Sequence, residues 1–199
     1  MCTTRMSSRC LLVVLAAASL AACGDRTPEA TIDTAAGAVD SALNVAGTEY
    51  TPAELLGLIN EGQNAYVEAS TLAQTKATDA GVKSFAKQIV DANRSDTSGI
   101  GSTAKTLNLT PMLPTNDENV SEDRVDGMKN LRDKAMGKEW DEAYLEFQIK
   151  MHRKILDEVN DALGRNPTAE MRTLLENTRT TLQNRLTRAE ELEKKFGAV

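Results

Sequence analysis

Four long stretches of this chain carry apolar residues at intervals of three and four, and this spacing constrains the fold more than any other feature. In an α-helix such residues lie along one face, so each stretch predicts a helix with one buried side. No segment shows the alternating pattern, rich in β-branched residues, that is typical of a strand. The sequence therefore predicts an all-α fold.

Start and stop signals set approximate bounds for these helices. The segment 51–54, Thr-Pro-Ala-Glu, is typical of a helix start, with threonine as the N-cap, proline in the first turn and glutamate closing a capping box. We expect this first helix to reach about Thr75. Asp79 is expected to open a second helix that ends near Leu107.

The middle of the chain interrupts the pattern. Pro111 and Pro114 predict a long crossing connection, and a shorter helix is expected over 121–136. The third long helix is expected from Lys138 to Gly164, with that glycine as a left-handed cap, and the fourth from 166–167, Asn-Pro. A long connection between the second and third long helices is typical of a ferritin-like antiparallel four-helix bundle, here predicted over 51–199.

The N-terminus predicts where the protein is located. Arg5 and Arg9 precede an apolar run over 11–22, which is well short of the ~20 apolar residues of a membrane-spanning helix. The run ends in Leu20-Ala21-Ala22-Cys23, which resembles the lipobox of bacterial lipoproteins. We therefore expect a lipoprotein signal peptide over 1–22 and lipidation at Cys23, with an ordinary signal peptide as the alternative.

A lipidated Cys23 would hold the protein firmly, because several acyl chains bind a membrane far more strongly than one. Residues 23–50 contain few large aliphatic side chains, so a flexible tether is expected there. In such lipoproteins an aspartate directly after the cysteine often favours the inner membrane, whereas here Gly24 follows. The expected location is the periplasmic face of the outer membrane.

Charge and cysteine content argue against nucleic-acid binding and against disulfide bonds. The formal net charge is −6, and no basic cluster stands out, so nucleic acid is not an expected partner. Cys2 and Cys10 lie in the predicted signal peptide and Cys23 would carry lipid. Because the mature chain would have no free thiol, no disulfide is expected to stabilise it.

Parts of all four predicted long helices resemble a ferritin-like domain-of-unknown-function family of exported bacterial envelope proteins. The resemblance extends over about 52–196. Its best motif is Gly-Lys-Glu-Trp-Asp-Glu-Ala-Tyr-Leu at 137–145, where the family tends to have a glycine, two variable positions, an aspartate and a Tyr-Leu pair. The matching strings are VEASTLAQTKA, VKSFAKQIVDANR, GKEWDEAYLEFQIKMHRK and TLQNRLTRAEEL.

The resemblance implies one inward-pointing polar residue in each long helix. In the family these are a glutamate and three histidines, and the matching positions here are Glu68, Asn93, His152 and Arg185. A ferritin-like di-metal site also needs Glu-x-x-His pairs, yet the chain has one histidine and the residue three before it is Ile149. We therefore expect no metal site and no cofactor.

The four matched positions can instead form a buried polar layer. In this hypothesis Glu68 and Arg185 make an ion pair, and Asn93 and His152 complete a layer that fixes the register of the helices. The simpler alternative is that His152 is a partly buried side chain with one or two hydrogen bonds.

The sequence favours a non-enzymatic outer-membrane lipoprotein whose periplasmic bundle serves as an envelope interaction or stress-associated module, with no catalytic residue assigned. A metal-binding oxidoreductase or metal-storage bundle that uses Glu68, His152 and neighbouring carboxylates is the alternative. A small-molecule or lipid carrier with a pocket between its helices is the third possibility. Besides the membrane, an envelope protein is an expected partner.

Overall fold

A computed structural model describes residues 50–115 and 118–197. The predicted signal peptide, Cys23 and the tether as far as residue 49 lie outside these residues. Within them the chain forms five α-helices and no strand, so the all-α prediction is confirmed. The helices are α1 (Pro52–Lys76), α2 (Ala80–Thr106), α3 (Glu118–Asp133), α4 (Lys138–Gly164) and α5 (Ala169–Gly197).

The first two helices begin at the predicted caps. Thr51 Oγ1 accepts a hydrogen bond from Glu54 N, while a Glu54 carboxylate oxygen accepts one from Thr51 N at 2.8 Å. Asp79 Oδ1 accepts from the backbone nitrogens of Gly81 and Val82 at 2.7 and 3.0 Å. Both side chains thus satisfy amides that the first turn of a helix leaves without a partner.

The four long helices enclose a shared core in a bundle-like arrangement. Helix α1 packs against α2 and α4, and α5 packs against the same two helices. The short helix α3 packs on α1 and α4. The largest fully buried side chains are Trp140, Tyr66, Tyr144, Phe85, Leu55, Leu56, Leu58, Ile89, Leu131, Leu145, Met151 and Ile155. No helix in the described part of the chain has the length and apolar character required to span a membrane.

The connection after α2 lies across the beginning of α1. Met112 N donates to Ala53 O at 3.1 Å. Gly57 permits this contact, because a Cβ atom at its position would lie 2.0 Å from Met112 O. The connection is therefore packed against the bundle at this crossing.

Helix α3 begins and ends three residues before the predicted 121–136. At its C-terminal end Lys76 Nζ donates to the carbonyl oxygens of Leu131, Arg132 and Lys134 at 3.1, 2.5 and 2.8 Å. The last carbonyls of a helix have no partner within it, so a lysine on α1 caps α3 across the bundle. A long-range contact of this kind has no signal in the local sequence.

The predicted left-handed cap at Gly164 is wrong. Gly164 is the last residue of α4, and the left-handed conformation occurs at Asn166, with φ of 56°. Asparagine tolerates this conformation, and Pro167 disfavours a right-handed helical conformation in the residue before it. Helix α5 begins two residues after the proline, where Thr168 Oγ1 accepts from Met171 N at 3.3 Å.

Candidate functional site

A layer of buried polar side chains lies between α1 and α4. Tyr66 and Ser70 belong to α1, and Tyr144, Gln148 and His152 follow one another at intervals of four residues on α4. Because residues four apart lie on one face of a helix, the spacing places the three α4 side chains on the same side. We call these five residues the interior polar cluster.

Hydrogen bonds join the cluster across the two helices. Ser70 Oγ lies 2.8 Å from Tyr144 Oη. Gln148 Nε2 donates to Ser70 Oγ at 3.1 Å and to the Tyr66 carbonyl at 3.2 Å, and the Tyr66 hydroxyl donates to Met151 O. Burial raises the pKa of both tyrosines, so they stay protonated.

His152 is a neutral residue inside this cluster. Its ring stacks on that of Tyr66, with centroids 4.0 Å apart, and its Nδ1 lies 2.7 Å from Gln148 O. Because a carbonyl oxygen only accepts, Nδ1 carries the hydrogen and Nε2 is left as an acceptor. Burial lowers the pKa of His152 to about 3, and the nearby charge of Arg185 acts in the same direction.

Arg185 links the interior polar cluster to the surface. Its Nη2 donates to Asp96 Oδ2 at 2.6 Å, and Gln63 Nε2 donates to the same oxygen at 2.5 Å. The side chain of Arg185 is 11 % exposed. These three residues, which we call the Gln63–Asp96–Arg185 bridge, therefore join α1, α2 and α5.

Three buried polar atoms in this region have no hydrogen-bond partner within the described residues. They are Gln148 Oε1, His152 Nε2 and Arg185 Nη1. The first two accept hydrogen bonds and the third donates them, so the set is complementary in type. The positive charge of Arg185 also lowers the pKa of Tyr66, Tyr144 and His152, although burial has the larger effect on each of these three groups.

A cleft of about 560 Å³ opens beside the bridge, between α1, α2 and α5. Its size falls in the range of small-molecule sites, roughly 300–1,000 Å³. The cleft contains the three bridge residues together with small hydroxyl and aliphatic side chains. Its lining is Ile59, Gln63, Ser95, Asp96, Ser98, Gly99, Ile100, Ser102, Leu174, Asn177, Thr178, Thr180, Thr181, Leu182 and Arg185.

Two of the four residues predicted as a polar layer lie in this region. His152 is a member of the interior polar cluster and Arg185 a member of the bridge. Asn93 is half-buried on α2. Glu68 faces α3, where its carboxylate accepts from Arg124 Nη2 at 2.8 Å and also from Arg132.

The expected Glu68–Arg185 ion pair does not form. Arg185 pairs with Asp96, and Glu68 pairs with two arginines of α3. The physical reason is that the short helix α3 packs beside α1 and places Arg124 and Arg132 next to Glu68. The predicted polar layer considered only the four long helices.

Sequence reasoning also missed Gln63, Asp96 and Gln148. Each interrupts an apolar stripe: Gln63 comes four residues after Ile59, and Asp96 four residues before Ile100. A polar residue on the buried face of a predicted helix is the signal that would have found them.

The described residues contain no group of three or more histidine, cysteine, aspartate and glutamate side chains placed to hold a metal ion. A di-metal site of the ferritin type needs several carboxylates together with histidines. The surroundings of His152 supply tyrosine, glutamine and an arginine cation, which suit such a site poorly.

Comparison with protein families shows to which family the chain belongs. A model described as a domain of unknown function, DUF4142, matches residues 37–192. The chain belongs to the DUF4142 family. Among solved structures, this DUF4142 chain is similar to the crystal structure of a DUF305 fragment from Deinococcus radiodurans, with a TM-score of 0.62 and 14 % sequence identity. The likeness covers 75 % of this chain and 98 % of the other, and it shows the fold alone.

A comparison of this DUF4142 chain with curated proteins finds no match.

The segment 137–145 of the DUF4142 chain has structural roles. Gly137 has φ of 137°, and Trp140 Nε1 donates to Leu131 O at 2.8 Å. Asp141 is fully buried and accepts hydrogen bonds from Thr78 and Asp79 in the turn between α1 and α2. The motif thus fixes the start of α4 against its neighbours.

Proposed function

We propose that this protein is a non-enzymatic outer-membrane lipoprotein whose periplasmic, ferritin-like bundle binds an envelope ligand or partner in the cleft between α1, α2 and α5. The observation that carries the binding role is the cleft itself, with the Gln63–Asp96–Arg185 bridge in its wall. A charged pair that is mostly removed from solvent costs free energy to desolvate, so its position beside an open cleft favours a role in recognition over a role in stability alone.

The chemistry of the cleft supports a binding role over catalysis. The only cleft residues with ionisable side chains are Asp96 and Arg185, and they are bonded to each other. General acid–base catalysis needs a group that can exchange a proton near neutral pH. The histidine of the interior polar cluster is fully buried and its low pKa keeps it neutral there.

The sequence of the N-terminus supports the proposed location. Arg5 and Arg9, the apolar run over 11–22 and the lipobox-like end at Cys23 form a consistent lipoprotein signal. The lipid would hold the bundle near the membrane, and Gly24 favours the outer membrane. In such a place a binding module acts on molecules of the periplasm or of the envelope surface.

The order of the helices supports the ferritin-like topology. Helices α1 and α2 are joined by three residues and α4 and α5 by four, whereas α2 and α4 are separated by a long connection that includes α3. Short connections favour antiparallel neighbours, and one long crossover is the arrangement of ferritin-like bundles. The metal-binding alternative gains no support, because the Glu68 carboxylate pairs with Arg124 and Arg132 of α3.

Site-specific photo-crosslinking in intact cells tests the binding role. A photo-reactive phenylalanine analogue replaces Ser98 in the cleft or, as the control, Lys87 on the same helix, whose side chain is 68 % exposed. We expect an adduct of one reproducible added mass at position 98, from a small ligand or from a protein, and none of that mass at position 87; mass spectrometry of the purified chain measures it. Equal adducts at both positions, or none at either, would contradict the proposed site.

Fractionation tests the anchor separately. The native chain is expected in the outer-membrane fraction and to incorporate labelled palmitate. The Cys23→Ser variant is expected to lose both properties because it lacks the thiol that is acylated. A variant that fractionates and labels like the native chain would remove the lipoprotein assignment.

A further inference from the structure

The cleft is electrically balanced, which limits the ligand that it can accept. Asp96 and Arg185 carry its only formal charges, and they lie 2.6 Å apart as an ion pair. A charged ligand would lose hydration on entry and find no unpaired opposite charge in return. This balance favours an uncharged ligand.

Six of the fifteen residues that line the cleft carry hydroxyl side chains. Ser95, Ser98 and Ser102 occur on α2 at intervals of three and four residues, so they share one face of that helix. Thr178 and Thr181 lie on α5 at the same cleft. A hydroxyl both donates and accepts hydrogen bonds, so these walls suit a ligand that does the same.

Most of these hydroxyls are free to bond to a ligand. Ser98 Oγ donates to Ser95 O at 2.8 Å. The side chains of Ser95, Ser102, Thr178 and Thr181 make no hydrogen bond to another described residue. These hydroxyls have no hydrogen-bond partner in the protein, so a ligand that replaces water can bond to them without breaking a protein hydrogen bond.

The cleft also has an aliphatic part. Ile59, Ile100, Leu174 and Leu182 contribute to its lining. A saccharide ring combines hydroxyls at its edges with apolar C–H faces, so it can satisfy the hydroxyl walls and the aliphatic side chains at once. A purely apolar ligand would leave the hydroxyls without partners, which costs free energy.

We propose that the ligand of this cleft is a neutral saccharide of about one or two rings, a size consistent with a cleft of about 560 Å³. This inference rests on the proposed binding function of the cleft and adds the chemical class of the ligand.

Titration calorimetry on the full-length chain tests the class. The protein is kept in micelles of an amine-oxide detergent, which has no sugar headgroup. The probes are three disaccharides with the same linkage: neutral cellobiose, anionic cellobiouronic acid and the cationic dimer of glucosamine. We expect cellobiose to bind at least about tenfold more tightly than either charged probe.

Two glycine variants of α2 locate the binding. Gly99 lines the cleft, and a Cβ atom there would meet only Leu174 Cδ1, at 3.6 Å, so a larger side chain can enter the cleft without disrupting the backbone. Gly101 lies two residues further along the helix. A Cβ atom built on Gly101 would have no atom within 4 Å beyond its immediate chain neighbours and its own helix backbone. We expect Gly99→Leu to weaken cellobiose binding at least about tenfold and Gly101→Leu to change it less than about twofold.

A charge variant tests the reason for the preference. Asp96→Asn removes the negative charge and leaves Arg185 without its counter-ion. The order of affinities should then reverse, with cellobiouronic acid binding more tightly than cellobiose. Circular dichroism verifies that the Asp96→Asn variant is folded. If it is not folded, the comparison of Gly99→Leu with Gly101→Leu tests the binding site.

The calorimetry and crosslinking results distinguish an incorrect ligand class from an incorrect binding site. Tighter binding of a charged disaccharide to the native chain, no binding of cellobiose, or cellobiose binding that Gly99→Leu leaves unchanged would each overturn the saccharide inference. If the adduct at position 98 persists in cells after such a result, the cleft remains a binding site for another class of ligand. If that adduct is absent as well, the proposed function fails with the inference.

Discussion

Arg185 on α5 and Asp96 on α2 form an ion pair of 2.6 Å at the edge of a cleft, and the same arginine acts electrostatically on the buried ring of His152. One side chain therefore connects the proposed binding surface with the interior polar cluster. Gln63 on α1 donates to the same Asp96 oxygen, so three helices depend on this contact.

Replacement of Arg185 by leucine is expected to lower the free energy of unfolding by about 3 kcal/mol, because it leaves the Asp96 carboxylate without its ionic partner. Urea denaturation followed by circular dichroism measures the change. Lys87→Leu is the control: Lys87 and Asp91 form an exposed pair, and its loss should cost less than about 0.5 kcal/mol. If the two variants lose the same free energy of unfolding, the Asp96–Arg185 pair contributes no more to stability than an exposed ion pair does.

Asp141→Ala is expected to destabilise the protein by about 2–4 kcal/mol. The fully buried carboxylate accepts from Thr78 N, Thr78 Oγ1 and Asp79 N at 2.6–3.1 Å, and the alanine variant leaves two backbone amides without partners. Thermal and urea unfolding measure the effect. The neighbouring Glu142→Ala removes only a partly exposed pair with Lys138, so a loss as large as that of Asp141→Ala would contradict this role.

The helices could be predicted from the sequence because their signals are local. Apolar residues at intervals of three and four gave the four long helices, and Thr51 and Asp79 marked two of their starts through side chains that bond within the next three residues. The end of α3 differs, since Lys76 caps it from another helix. A contact between residues more than fifty positions apart leaves no trace in either local pattern.

The site was predicted only in part for the same reason. His152 and Arg185 were selected by resemblance, but their partners depend on which helices are neighbours. Glu68 was expected to meet Arg185, yet α3 places Arg124 beside it. Asp96 takes the position opposite Arg185. Pairing of charges across a bundle is decided by packing, which a single sequence does not contain.

Gly57→Ala is expected to lower the free energy of unfolding by about 2 kcal/mol, because the new Cβ atom would lie 2.0 Å from Met112 O and the crossing connection would have to move. Gly101→Ala is the control, since no atom beyond its immediate chain neighbours and its own helix backbone lies within 4 Å of its Cβ position. That variant should gain about 0.5–1 kcal/mol from the better helix propensity of alanine. Urea denaturation of the two variants checks the sign of each change, and a stabilised Gly57→Ala would show that the connection does not pack closely on α1.

The burial of His152 predicts that stability falls as the solution becomes acidic. Its pKa is about 3 in the folded protein, whereas an imidazole in an unfolded chain titrates near about 6.5. Above about pH 6.5 the ring is neutral in both states and contributes no pH dependence. Below that value the unfolded chain binds a proton that the folded protein excludes, so the free energy of unfolding decreases by up to about 1.4 kcal/mol per pH unit until about pH 3.

The matched variant for this test is His152→Gln, which keeps a polar side chain but cannot titrate in this range. Urea denaturation of both proteins between about pH 7 and about pH 4.5 gives their difference in stability. Because carboxylates titrate alike in the two proteins, their contributions cancel in the difference. The native chain should lose stability relative to the variant as the pH falls. A constant difference would mean that His152 gains a proton in the folded state as easily as in the unfolded one, and that burial beside Tyr66 does not exclude that proton.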